Sequence, residues 1–175
     1  MSFWSQNTEK LRQLILYIAS QSADAKRGDI FLNKVLFFSD AWALQHLGEP
    51  ITGARYQKLP MGPALRALIP LRNEMIAAGD VEVKTVGATN VTYALTEPDM
   101  ECFTADEIAL VDEVMLLFSK TPANVISEVS HDLAPGWNLV GLKEDIPLET
   151  QLISRRPPSE ETSARGRQLA AAFGW

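Results

Sequence analysis

The segment from Ile30 to Leu47, IFLNKVLFFSDAWALQHL, is apolar on every side when it is wound as a helix. Phe31, Leu32, Val35, Leu36, Phe37, Phe38, Trp42 and Leu44 leave it no continuous polar face, so it belongs in the middle of a fold with other elements wrapped around it. Its few polar residues, Asn33, Lys34, Ser39 and Asp40, must then find partners or reach a rim. Lys34 and Asp40 are six residues apart and point to different sides, so each is expected to meet its own neighbour rather than the other. No apolar run in the 175 residues is long enough to span a bilayer, which makes this helix a core element and not a membrane span.

The rest of the chain supplies what such a helix needs around it. Leu11, Leu14, Ile15 and Ile18 mark an amphipathic helix over about 8–22, and ADAKRGD reads as a polar turn. Pro63 is expected to open a helix through Leu65, Leu68 and Ile69, with Pro70 kinking or splitting it and Gly79 closing it. DVEVKTV and NVTYAL alternate in polarity around Gly-Ala, a β-hairpin pattern. In FTADEI, Thr104 and Glu107 form a capping box flanked by Phe103 and Ile108 at the staple positions. Thr121-Pro122 is expected to cap and open the next helix, which ends before Pro135-Gly136. GWNLVGLKEDIPLET is irregular or a short strand, RRPPS is a break, and Ser159 can cap a last helix. The fold class expected is mainly α: a compact helical domain over 1–150 with a central buried helix and a small β-hairpin, followed by a helical extension over 151–175.

Charge and chemistry narrow the function. Residues 91–150 carry twelve Asp/Glu against two Lys/Arg, a local balance of −10 within a chain of net charge −6. That sign repels phosphate backbones, so no nucleic-acid partner is expected, and the hairpin brings only Lys84 as a basic residue. It attracts a basic protein; as a solvated acidic face it aids solubility. Cys102 is the sole cysteine, and no signal peptide is visible in MSFWSQNTEKLRQ, so a cytoplasmic setting is expected. His46 and His131 are far apart, no metal-binding pair of His or Cys occurs, and no glycine-rich phosphate motif is present, so no metal and no cofactor are expected. A Cys102–His131 nucleophile pair is arithmetically available, but Cys102 sits in an acidic region and also reads as a small buried apolar residue. His131 falls in a last helical turn, where it would bond a terminal carbonyl or meet the helix dipole. Trp137 reads as a core anchor.

Between the central helix and the next element lies GEPITGARYQKLPMGP, read as an irregular link whose glycines and prolines fix its shape. Tyr56 and Lys58 in it have two readings: contacts with a partner, or local bonding that holds the loop.

The stretch FLNKVLFFSDAWALQHLGEPITGARYQKLPMGPA resembles the signature of the SocA-like, or Panacea, antitoxin domain family, found in bacteria and prophages. The parts that match, in order, are Lys34 to Asp40, the run Gly48-Glu49-Pro50-Ile51-Thr52, Arg55-Tyr56, and Gly62-Pro63, with VSHDLAPGW and its His131 and Trp137 as a later match. The resemblance spans about 8–146; Phe37 stands where the family helix carries a tyrosine. It implies a non-enzymatic antitoxin that neutralises a cognate protein toxin, here expected to be basic, by direct contact. Arg55, Tyr56, Lys58 and Asp40 are the expected partner-binding residues, while Lys34, Gly48, Pro50, Thr52, Gly62, Pro63, His131 and Trp137 are expected to serve structure. One branch of the family delivers its toxin to a Clp-type protease, and the Arg-rich 155–167 or the final AAAFGW would be the tether. A small enzyme with an unrecognised site and a DNA-binding regulator are the remaining readings.

Overall fold

In a computed structural model, which describes residues 4–22, 27–153 and 159–173, the chain is mainly helical with two small antiparallel sheets. Helix α1 spans Thr8–Ser22 and α2 spans Asp29–His46. A hairpin of β1 (Tyr56–Leu59) and β2 (Gly62–Leu65) precedes α3 (Leu68–Ala78), and a second hairpin joins β3 (Val81–Val86) to β4 (Thr89–Ala94). After a 3-10 turn at Met100–Cys102 come α4 (Ala105–Ser119), α5 (Ala123–Leu133) and the short α6 (Pro135–Leu139). Strand β5 (Asp145–Ile146), a second 3-10 turn at Leu148–Leu152 and α7 (Glu160–Phe173) complete it.

The apolar α2 is the axis, as its sequence dictates. Phe31, Leu32, Val35, Leu36, Phe37, Phe38, Ala41, Ala43 and Leu44 are all buried, and α1, α4, α5, β2 and the second 3-10 turn pack around them. Phe37 and Phe38 meet edge to face at 5.0 Å, and Phe38 meets Phe118 of α4 at 5.5 Å. Such ring pairs are worth about 0.5–1.5 kcal/mol beyond the area they bury. The capping box at the start of α4 forms in full: Glu107 N–H donates to Thr104 Oγ1 (3.2 Å) and Thr104 N–H to Glu107 Oε2 (2.8 Å). Gly79 closes α3 at a φ of +81°, and Gly87, at +62°, supplies the positive φ that the tight β3–β4 turn requires.

Four local expectations are corrected. The link 48–63 is not irregular throughout, because its second half is strand β1 and the β1–β2 turn. Pro63 lies in β2 opposite Lys58 and opens no helix. Arg66 N–H donates to Arg55 O, and counting by twos from there turns Pro63 away from β1, where a missing N–H removes no ladder bond. Pro70 neither kinks nor splits α3, since the helix begins at Leu68 and its third residue has no intrahelical acceptor to satisfy. Thr121 does not cap α5; its hydroxyl donates to Leu117 O at the end of α4, and Pro122 holds the N-cap position without a side-chain bond. Ser159 does cap α7, accepting from Thr162 N–H at 3.1 Å. Residues 23–26 of the polar turn, the break at 155–158, Trp175 and the side chain of Phe173 lie outside the described residues.

The turn at Leu148–Leu152 packs against α2 and buries Gln151, so a boundary at 150 would fall inside a packed element. Helix α7, beyond it, exposes most of its described side chains and buries none of them fully.

Replacing Phe118 by alanine should cost about 3–5 kcal/mol of stability in urea denaturation, because it opens a cavity where α4 seats on α2. Leu116→Ala, two residues away but 68 % exposed, should stay within about 0.5 kcal/mol of the parent.

Candidate functional site

Three of the four polar residues singled out on α2, Asn33, Lys34 and Asp40, serve the segment that follows it. Asp40 is fully buried, and its carboxylate accepts from Thr52 N–H (2.7 Å), Thr52 hydroxyl (2.6 Å), Ala54 N–H (3.3 Å) and Tyr56 hydroxyl (2.9 Å). The single hydroxyl proton of Tyr56 also has Leu36 O within 2.9 Å, and its ring stands edge to face on Phe37 at 5.1 Å. Burial raises the Asp40 pKa above the ordinary carboxylate range, with the donors from Thr52, Tyr56 and Ala54 opposing it. Burial, then the Asp40 charge, pushes Tyr56 well above its usual value.

Asn33 and Lys34 deal with the outer edge of β2. Leu65 N–H donates to Asn33 Oδ1 at 2.8 Å, and Lys34 Nζ donates to Pro63 O at 3.0 Å. These are the backbone groups that β2 turns away from β1, so the side chains of a helix satisfy an edge that would otherwise be unpaired. Lys34 is 2 % exposed, and burial lowers its pKa to about 7. Gly62 is required at the turn: its φ is +99°, and a Cβ there would lie 2.3 Å from Ser130 Oγ and 2.8 Å from Lys34 Cε. The fourth polar residue, Ser39, is buried with no partner for its hydroxyl among the described residues.

From the far side the hairpin is clamped by α5 and α6. Trp137 Nε1 donates to Leu59 O (3.1 Å), its ring stacks on His131 at 3.8 Å and 11°, and Lys58 Nζ lies 4.1 Å from its centroid while donating to Val140 O (3.0 Å). His131 sits in the last turn of α5, as expected, but its ring packs against Trp137 instead of bonding a terminal carbonyl. Its pKa is lowered by burial and then by the nearby Lys34, against the pull of Pro60 carbonyl and Asp132. Its Nε2 is buried with no partner among the described residues.

The hairpin's outer surface is ionic. Asp145 of β5 accepts from both Arg55 and Arg66, and these bonds outweigh the burial that alone would raise its pKa, leaving it below the usual carboxylate range. A groove of about 360 Å³ opens beside it, lined by Trp4, Gly53, Arg55, Tyr56, Asp145 and Pro147.

The structure thus joins Lys34, Asp40, Thr52, Arg55, Tyr56, Lys58, Gly62, Pro63, His131 and Trp137 around one hairpin. Gly48, at a φ of +89°, and Pro50 lie in the link that leads from α2 to it. Two expected contact residues change character: Tyr56 is 1 % exposed and Asp40 is 0 %, so neither is presented to a partner. Lys58 is half-buried and locally bonded, and Arg55 remains exposed. Sequence reading missed Asn33, Asp145 and Arg66, whose roles come from pairings 32, 90 and 79 residues apart in the chain. Cys102 and His131 are not brought together: the thiol donates to Asp99 O. Among the described residues no His, Cys, Asp or Glu cluster could hold a metal, and no helix is long and apolar enough to cross a membrane.

Asp40→Ala should cost about 2–5 kcal/mol, since it strands buried donors from Thr52, Ala54 and Tyr56. Thermal and urea unfolding measure it, and Arg55→Ala, on the exposed rim, is the control. Lys34 predicts a pH signature. Above about pH 7 the folded chain holds it neutral, while the unfolded chain keeps its proton up to its ordinary value of 10.5. The unfolded state then binds more protons, so stability should rise between about pH 7.5 and 9.5. The whole contribution is on the order of 5 kcal/mol, and the rise should be absent in Lys34→Met.

Comparison with curated proteins and with solved structures found no match. Comparison with protein-family models found one over residues 32–138, which contains all but the first three residues of α2, both hairpins and the His131–Trp137 clamp. The chain belongs to the family described as Antitoxin SocA-like, Panacea domain.

Proposed function

We propose that this chain is an antitoxin that neutralises a cognate protein toxin by binding it directly, masking the toxin's working surface without making or breaking covalent bonds. The observation that carries this reading is the family match over 32–138, which spans the hairpin and the residues of α2, α5 and α6 that clamp it. Two physical features support it. The titratable groups at the hairpin are committed to backbone and neighbouring side chains, so they serve shape. The acidic stretch 91–150 gives the domain a field that speeds encounter with a basic partner. In this reading Tyr56 and Asp40 build the scaffold, and Arg55 and Lys58 border the surface that a toxin meets. Residues up to Ile153 form the binding body and those beyond are an extension.

Delivery of the toxin to a Clp-type protease is a second reading, favoured by the exposure of α7, which leaves that helix available as a tether.

The test is co-expression with the product of the adjacent reading frame. That product should arrest growth alone, be rescued by this chain, and co-purify with it in a stoichiometric complex. Loss of residues 154–175 should leave rescue intact and toxin half-life unchanged. A shortened half-life that depends on those residues would favour the protease reading, and failure of rescue by the full chain would sink both.

A further inference from the structure

Helix α5 divides into four rows of residues spaced four apart. Ile126 and Ser130 face the core. The next row, Ser127 and His131, faces the hairpin: Ser127 hydroxyl lies 4.0 Å from Met61 Sδ, and His131 stacks on Trp137. Asn124, Glu128 and Asp132 form an exposed acidic row. Val125, Val129 and Leu133 form the fourth, and they are 37 %, 38 % and 39 % exposed. Single exposed aliphatics need no explanation. Here three occupy consecutive turns of one row, an apolar strip about 12 Å long beside the acidic one.

We propose that this outer face of α5 is the docking surface for a protein partner that presents an apolar ridge flanked by lysines or arginines. It rests on the antitoxin reading, under which the partner is the toxin. Charge identifies the occupant. A second copy of this chain would bring Glu128 and Asp132 against their own kind, and anionic lipid or nucleic acid would be repelled. A basic protein gains on both rows, from steering by the carboxylates and from burial of the valines and Leu133. The face is ready-made, since the core row and the hairpin row fix α5 on both flanks.

The test measures binding to the growth-arresting product of the adjacent reading frame, by calorimetry at low and moderate salt. Wild type is compared with Glu128→Lys/Asp132→Lys and with Val125→Ser/Val129→Ser. Circular dichroism confirms that each variant folds. Each pair should weaken binding roughly tenfold or more, and the charge pair should also flatten the salt dependence. Hydrogen exchange on the wild-type complex should show protection over 123–133, a readout that stands even where the serine variant fails to fold. Unchanged affinity in both folded variants, or no protection of α5 in a complex that does form, overturns the surface while leaving the antitoxin reading in place. A wild-type dimer dissolved by these substitutions assigns the face to a second copy and also overturns it. No binding and no rescue by wild type removes the antitoxin reading, and this inference goes with it.

Discussion

The structure depends on one buried carboxylate. Asp40 gathers donors from Thr52, Ala54 and Tyr56, and so fixes where the chain goes after it leaves α2. Without it, the segment after Gly48 would have buried backbone N–H groups and no acceptor for them. With it, Thr52 and Ala54 are pinned to the helix, Tyr56 is driven into the core against Phe37, and β1 starts from a defined position and direction. Strands β2 and β5 are placed by pairing with β1, so the register of the three-stranded sheet traces back to this carboxylate.

The same economy explains why a helix so apolar keeps a buried lysine. A two-stranded ribbon has two edges. On β1 the outer edge is taken by β5, while on β2 it faces α2, which has no free backbone groups to offer. Asn33 supplies the acceptor for Leu65 N–H and Lys34 the donor for Pro63 O. A leucine at 34 would pack as well but leave Pro63 O unpaired and lose the directional bond that sets how deep β2 sits. Burying the amine is unfavourable while it is charged, which is why its pKa falls to about 7. What it contributes is position.

These demands decide what was legible from sequence. The central helix, the β3–β4 hairpin, the capping box at Thr104 and the cap at Gly79 follow from periodicity or from chemistry within a few residues, and they stand as read. The β1–β2 hairpin did not announce itself. Its strands are four residues long, one contains Pro63, and the partner of its outer edge is a pair of helix side chains, a pattern with no local signal. Tyr56 looked like a loop residue because its neighbours are polar and punctuated. It is buried because an acid sixteen residues earlier holds its hydroxyl. His131 was correctly placed in a last turn, but Trp137, beyond the break at Pro135-Gly136, takes its ring.

These bonds also make the hairpin and α5 a single unit. Gly62 approaches Lys34 and Ser130 so closely that no side chain fits between them, and Trp137 joins Leu59, Lys58 and His131 across the same junction. A partner that engaged α5 would meet a surface whose ordering was completed during folding, with few side chains left to immobilise. Binding by such a surface is governed by the match of its fixed rows of charge and apolar groups to another protein. On the docking surface proposed above, substitutions on the outer rows of α5 would change the partner, while Asp40, Lys34 and Gly62 hold the hairpin in place behind them.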